Sequence, residues 1–426
     1  MKAEDLLKFL DESPCNFLAV NTIKKHLLEA GFTELNLKDK WNLAKGGKYF
    51  TTKNDSAIFG FKVGQKSVSE TGFKIISAHS DSPCFRIKPN PAMAKEGVIS
   101  LNTEVYGGPI LYTWFDRPLS IAGRVMLKGD NELNPKTALI HIKEPLLVIP
   151  HLAIHFNRSV NEGNKLSKQK DMLPVAGIIN DTFEKDNFIV NRIAEELSVK
   201  AEDILDFDLM LYNCEPATMV GFNKEFVMSG RIDDLSMAHA AMAAIIDGTD
   251  SEYTNVMAIF DNEETGSGTK QGAASTVLAT ILHRIALAEG CDQQDFYCAI
   301  EKSFMISADN AHATHPNYPE KYDITNHPTM GGGPVIKINA NCKYMTDAQS
   351  SAVFKQLCAK AGVQCQYFVN HSDVAGGSTL GNILTSQIDI AGVDVGNTIL
   401  AMHSAMETGS IKAPHAMMNV FIGFFS

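Results

Sequence analysis

An α/β domain interrupted by a β-rich insertion is the fold class this sequence predicts, on three observations. Short apolar runs alternate with helix-spaced segments up to about residue 95 and again after Gly230. That is the rhythm of strands covered by helices. Between Gly97 and Phe156 helical periodicity fades, and alternating pieces punctuated by Gly and Pro take over, as in half-buried strands. Several apolar runs also stop abruptly on polar side chains; in open α/β sheets, ligands collect outside the carboxyl ends of the strands. The expected layout is one domain built from residues 1–95 and 224–426, with residues 96–223 inserted into it.

The elements follow in order. Leu6, Leu7, Phe9 and Leu10 sit among charges, and Phe17, Val20, Ile23, Leu27 and Leu28 recur near helical spacing before Gly31, a helix-stop residue. Short strands are expected at Tyr49-Phe50 and Ala57-Ile58-Phe59. The run Phe73-Lys74-Ile75-Ile76-Ser77-Ala78 is the next strand and stops on His79-Ser80-Asp81-Ser82-Pro83. In the insertion, strands are expected at 98–101, 119–125, 138–142 and 207–212, a loop at 157–170 and a helix at 188–197. Arg231-Ile232-Asp233-Asp234-Leu235 then opens an Ala- and Met-rich helix reaching 246. A strand at 255–260 leads into Asp261-Asn262-Glu263-Glu264, and a helix follows at 273–289. Further strands are expected at 304–308, 334–338, 366–369 and 388–393, with a helix at 348–361.

The 426 residues are 45% hydrophobic and 20% charged, enough for a sizeable core and two domains. A net charge of −11 without any basic run speaks against nucleic acid as a partner. The start, Met1-Lys2-Ala3-Glu4-Asp5, is acidic early and lacks a long apolar core, so no signal peptide is expected. Pro145, Pro150 and His151 interrupt the best apolar run, so no membrane span is expected. Eight cysteines without a C-x-x-C pair suit reduced thiols in the cytoplasm. They leave His, Asp and Glu as the ligands of any metal.

Glu263 and Glu264 are adjacent, and adjacent side chains of a strand point to opposite faces. Both can serve one site only if the strand has ended and the backbone turns, which Gly266 and Gly268 permit. A carboxylate pair at a strand end suits metal binding and proton movement beside a metal. A solvated acidic turn is the plain alternative. His79 and Asp309 end apolar runs in the same way, His403 stands shortly after a strand, and Asp233 stands at a helix start. Two His and several carboxylates suit a pair of zinc ions, with manganese or cobalt as substitutes. Two metals need a carboxylate that bridges them and a bridging water acidic enough to attack an amide. Singly, each residue has a structural alternative: a core histidine for His79 or His403, a helix cap for Asp233 or Asp234, a turn cap for Asp309. Together, the order His, Asp, Glu-Glu, Asp, His is hard to obtain by accident.

The residues around this series resemble the aspartyl aminopeptidase family of co-catalytic dizinc exopeptidases. The similar words are Ser77-Ala78-His79-Ser80-Asp81-Ser82-Pro83-Cys84, Tyr112-Thr113-Trp114-Phe115-Asp116-Arg117 and Ile149-Pro150-His151-Leu152-Ala153-Ile154-His155. They continue with Arg231-Ile232-Asp233, Asp261-Asn262-Glu263-Glu264-Thr265-Gly266-Ser267 and Ser307-Ala308-Asp309-Asn310-Ala311-His312. His315-Pro316-Asn317-Tyr318, Gly333-Pro334-Val335-Ile336-Lys337 and Met402-His403-Ser404 close the series, which covers nearly the whole chain.

The resemblance implies a catalytic domain with a mixed sheet and helices on both faces, an insert that builds dimers, and a tetrahedral dodecamer enclosing the active sites. It implies two zinc ions per subunit. His79 would bind one zinc, with Asp81 orienting its ring, and Asp309 would complete that site. Asp233 would bridge both ions, and Glu264 and His403 would hold the second. Glu263 would be the general base. The family pattern has Asn where this chain has Asp234, so two aspartates compete for the bridge; Asp233 is preferred, followed by a cis peptide. His155 matches a histidine supplied by a neighbouring subunit, placed to stabilise a developing oxyanion; a solvent-facing strand histidine is its alternative. Lys337 matches a lysine that meets an acidic substrate side chain; an exposed strand lysine is its alternative. His312 and His315 fit structural roles, as do His26, His239 and His371.

The expected function is therefore a cytoplasmic metalloaminopeptidase. It would remove N-terminal residues, preferably Asp or Glu, from peptides by attack of a metal-bridged hydroxide, with Glu263 moving the proton. Its rivals are a dizinc enzyme of neutral or broad specificity, a related carboxypeptidase or deacylase, and a non-catalytic peptide-binding or assembly shell. Glu263 speaks against the shell, since holding metal needs no general base.

Overall fold

The computed structural model describes residues 3–179 and 187–426. The chain forms two compact units: Met1–Asp81, Ala217–Met402 and Glu407–Ser426 make the first, and Ser82–Pro216 with His403–Met406 make the second.

The first unit is built on a nine-stranded sheet. Its strands in chain order are β1 (Thr33–Glu34), β2 (Lys48–Lys53), β3 (Ala57–Lys62), β4 (Phe73–His79), β5 (Thr254–Phe260), β6 (Phe304–Ala308), β7 (Val335–Ile338), β8 (Gln366–Val369) and β9 (Ala391–Gly396). Across the sheet the order is β1-β2-β3-β5-β4-β6-β9-β7-β8. The sheet is mixed: β5, β4, β6 and β9 run parallel, while β3 and β7 join this centre antiparallel. Near-continuous apolar runs suit strands covered on both faces. Along β5, Val256, Ala258 and Phe260 enter one core layer, with the helices Val277–Ala288 and Gln293–Glu301. Met257 and Ile259 enter the other, with the helices Asn16–Glu29, Ile232–Asp247 and Ala413–Phe425. The register keeps the central strands in step: Phe260 lies opposite His79, and Ser307 opposite Ser77. Three strands thus reach one edge of the sheet together.

Several elements differ from expectation. Asp233 and Asp234 have non-helical backbone angles at the start of Ile232–Asp247, and the peptide bond between them is cis, as expected. The helix expected at 273–289 spans only Val277–Ala288. Before it the chain folds back so tightly that a Cβ on Gly272 would lie 2.3 Å from the Ser267 carbonyl oxygen. The strand expected at 388–393 is Ala391–Gly396; Ile388 and Ile390 are buried in a core layer rather than in the ladder. The helix Ala413–Phe425 was not foreseen, because burial of Met417, Met418, Val420, Phe421, Phe424 and Phe425 leaves little polar alternation to read. A five-stranded sheet of short strands, including Phe226–Ser229 and Glu407–Ser410, was also unforeseen.

The second unit carries a separate six-stranded sheet, antiparallel throughout. Its strand Val98–Tyr106 alternates, burying Ile99, Leu101 and Thr103. Ile189 and Ile193 of the helix Phe188–Leu197 join its core. The strand Cys84–Lys95 escaped notice because Pro89 and Pro91 interrupt it, where its register with Val98–Tyr106 shifts. Among the described residues no helix is long and apolar enough to cross a membrane.

Candidate metal centre

His79 is the last residue of β4 and is 1% exposed. Its Nε2 faces Asp233 Oδ1 at 3.7 Å and Asp309 Oδ1 at 4.0 Å. On the other side of the ring, Nδ1 lies 3.0 Å from the Asp81 carbonyl oxygen and 3.3 Å from its carboxylate. A proton on Nδ1 therefore has acceptors in Asp81, which leaves the Nε2 lone pair directed at the acids.

Beyond β5 the strand ends and the backbone turns. Asn262 (φ 60°) and Gly266 (φ 90°), both left-handed, bracket a single 3-10 turn, Glu263–Thr265. The Glu263 and Glu264 backbone N–H groups donate to Asp81 Oδ1 and Oδ2, each at 3.1 Å. One carboxylate thus organises both the histidine and the glutamate pair. The family resemblance implies the first task of Asp81; the second depends on β4 and β5 being neighbours. Behind the turn, Asp261 is fixed by hydrogen bonds from Asn16 Nδ2 at 3.0 Å and from the Asn262 N–H at 2.8 Å.

The two aspartates at the cis bond face different partners. Asp234 Oδ2 accepts the His79 backbone N–H at 3.1 Å, and Asn310 Nδ2 approaches its Oδ1 at 3.4 Å. Asp233 turns its Oδ1 toward His79 Nε2, and its backbone N–H donates to Glu407 Oε2 at 3.0 Å. Asp309 follows β6, with its N–H on the Val395 carbonyl at 2.9 Å. Lys337, in β7, is not the exposed lysine of the alternative reading: it is 4% exposed, with Nζ 3.1 Å from Asp309 Oδ2. Glu407 and Asn310 touch this site without having been foreseen. No spacing marks Glu407; only its burial at 1% exposure sets it apart.

Charge crowding dominates the electrostatics. Burial, reinforced by the Asp309 and Asp233 charges, holds the Asp234 carboxyl well above the carboxylate range. Burial likewise pushes Glu263 up to about 8, with Asp309, Asp81 and Asp233 adding to it and His79 opposing. Glu264 is held high by burial and by Asp233. Asp309 is raised by burial and pulled back by Lys337. Burial alone would lower His79, yet Asp234, Asp81 and Glu263 outweigh it and hold the imidazole well above its usual value. The ligand atoms of His79, Asp233, Asp234 and Asp309 all lie within 4.8 Å of one another, and so do those of His79, Glu263 and Glu264. One imidazole nitrogen and several carboxylate oxygens, without sulfur, form a donor set that fits zinc or manganese. Divalent cations would also neutralise the buried negative charge.

Two of the expected residues lie in the second unit. His403 adopts a left-handed backbone (φ 69°), and its Nδ1 lies 3.1 Å from the Gly108 carbonyl oxygen. A proton shared there puts the ring's lone pair on Nε2. His155 stands exposed in the 3-10 turn Ile154–Phe156 rather than in a strand. His312 packs near Phe368, and His315 Nδ1 accepts the Asn317 N–H at 3.2 Å.

Residues 9–425 match the family described as aminopeptidase I zinc metalloprotease (M18). A relative from Clostridium novyi, described as a probable M18 family aminopeptidase 2, is 53% identical over 425 residues, spanning 100% of this chain and 98% of its own length. Among solved structures, one described as the Ape4 and Nbr1 complex superimposes with a TM-score of 0.95 at 35% identity, covering 99% of this chain and 85% of that one. The structure described as the S. cerevisiae mApe1 dodecamer gives a TM-score of 0.87 at 26% identity, covering 99% of this chain and 96% of that one.

Proposed function

The chain belongs to the M18 family of zinc metalloproteases, and from that premise we propose a two-metal aminopeptidase that prefers acidic N-terminal residues. It is a zinc metalloaminopeptidase that removes residues from the amino terminus of peptides. The observation that carries the two-metal reading is the convergence of His79, Asp233, Asp309, Glu263 and Glu264 at one edge of the sheet.

Zinc, when bound, would polarise the scissile carbonyl and make water a usable nucleophile at neutral pH. His79 and Asp309 would hold one ion, Glu264 and His403 the other, and Asp233 would bridge them. That choice of bridge is supported by Asp234, whose carboxylate already accepts the His79 N–H. Glu263 would take the proton of the attacking water and deliver it to the leaving amine. Its backbone, tied to Asp81, holds it in place for both transfers.

Lys337 would favour Asp or Glu at the substrate's first residue. A second reading, neutral or broad specificity, is favoured by one observation: Lys337 Nζ already pairs with Asp309 at 3.1 Å. A panel of amino-acid anilides separates the two. Glu and Asp anilides turning over faster than Leu and Ala anilides is the expected result, and the opposite ranking ends the acidic assignment.

The β-rich insertion, placed at 96–223 between the catalytic segments 1–95 and 224–426, would build the oligomer. Support comes from the compact second unit and from exposed apolar side chains on its own surface: Leu152, Ile154 and, 81% exposed, Phe156. A second copy of this chain would cover them and receive His155 at its active site, within a dodecamer like that of the yeast relative. Free thiols at all eight cysteines are compatible with action in the cytoplasm. Mixing inactive His155→Ala and Glu263→Gln subunits should restore activity, measured as hydrolysis after reassembly. Mixtures that stay inactive remove the case for a shared site.

A further inference from the structure

We infer that Glu407 is a positioning residue for Asp233, an inference that rests on the two-metal reading above. The first N–H groups of a helix have no partner within it. At the start of Ile232–Asp247, the Asp233 N–H is instead taken by Glu407 Oε2 at 3.0 Å. The carbonyl of the same peptide unit, on Ile232, accepts Asn310 Nδ2 at 2.8 Å. Both polar groups of the Ile232–Asp233 peptide are therefore gripped by buried side chains.

The fold makes this reach short. Glu407 pairs with Ser229 in the five-stranded sheet, and only Gly230, Arg231 and Ile232 separate Ser229 from Asp233. Arg231, left-handed at φ 64°, is itself tied down by its Nε on the Ser13 carbonyl at 3.0 Å. Rotating the peptide before Asp233 would swing its carboxylate away from His79 Nε2, now 3.7 Å away. Displacements of about 1 Å at such a site cost roughly 10²-fold in rate. A neutral amide would satisfy the same N–H, but a carboxylate binds it about twice as strongly. Burying a carboxyl group at 1% exposure is costly unless its hydrogen-bonding capacity is used. Sequence reading could not single Glu407 out, since it lies in no metal-binding word.

The test compares the full-length wild type with Glu407→Gln and Glu407→Met. Each protein is stripped of metal, titrated with zinc, and assayed on a peptide anilide; unfolding is followed metal-free. Zinc binding in Glu407→Met should weaken by roughly 10- to 100-fold, the usual cost of losing an outer partner of a ligand. Its kcat should fall while KM stays about constant, and Glu407→Gln should recover part of both losses, as the strength ranking requires. Should Glu407→Met fail to fold, Glu407→Gln decides: weaker zinc binding supports the role, and parity with wild type overturns it. Lower metal-free stability with wild-type zinc affinity and kcat would mean a merely structural Glu407, and also overturns it. A wild type that neither binds zinc nor loses activity to a chelator would overturn the metal reading first, a result visible without any variant.

Discussion

In the first unit, β5 is buried at every position from Thr254 to Phe260, whereas in the second unit Val98–Tyr106 buries alternate residues. A strand covered on both faces has no side chain to offer until it ends. Its chemistry is pushed to the tip, where His79, Glu263, Glu264 and Asp309 stand on a rigid base. Val98–Tyr106 turns one face to the second unit's core and the other away from it, and the loops of that unit present Leu152, Ile154 and Phe156 to solvent. On the proposed function, Glu263 and most of the metal-holding side chains belong to the first unit, and the exposed apolar side chains of the second would serve surface recognition.

The strongest way to break this division is Glu263→Gln. Hydrolysis should fall by roughly 10²–10⁴-fold, while zinc content and thermal unfolding stay at wild-type values. Retained turnover would remove Glu263 from the reaction. Next in size is a paired truncation. Phe260, fully buried and edge-on to Phe59 with ring centres 5.3 Å apart, should cost about 3–5 kcal/mol as Phe260→Ala. Phe156→Ala, at a side chain 81% exposed, should change the stability of the separated subunit by no more than about 0.5 kcal/mol. It should instead loosen assembly, read by light scattering. A stable Phe260→Ala, or Phe156→Ala with unaltered assembly, would blur the distinction between the units.

The smallest effect concerns acid. Burial pushes His239, beside Phe9 in the first unit, down to about 4. An unfolded chain would bind a proton there near pH 6.5, so between those values the unfolded state binds more protons. This stability is fully present above about pH 6.5 and is lost as pH falls toward 4; between pH 7 and 5 the loss is on the order of 2 kcal/mol. His239→Leu should flatten that acid limb in unfolding measured against pH. An unchanged slope would place the acid sensitivity elsewhere.

Legibility followed the kind of signal each residue carries. The runs ending at His79, Phe260 and Ala308 were readable because a strand buried on both faces must be apolar throughout. The same uniformity hid the helix Ala413–Phe425, whose exposed polar face is only His415 and Asn419, too narrow to mark a period in a Phe- and Met-rich run. Pro89 and Pro91 hid Cys84–Lys95, because proline removes the alternation expected of a strand. Lys337 could be named but not understood: its charge is visible in sequence, whereas its burial against Asp309 is not.

By itself, the sequence determined the α/β rhythm, the series of ligand-type residues at strand ends, and the need for the backbone to turn at Glu263-Glu264. Those are local properties, written in apolar periodicity and in neighbouring residue types. Tertiary structure alone decided that β4, β5 and β6 end in step, that Asp81 holds both a histidine and the glutamate turn, and that Glu407 reaches the N–H of Asp233. Each depends on residues more than a hundred positions apart. A hydrogen bond between such residues leaves no periodicity in either segment, and appears only when packing brings the two strands side by side.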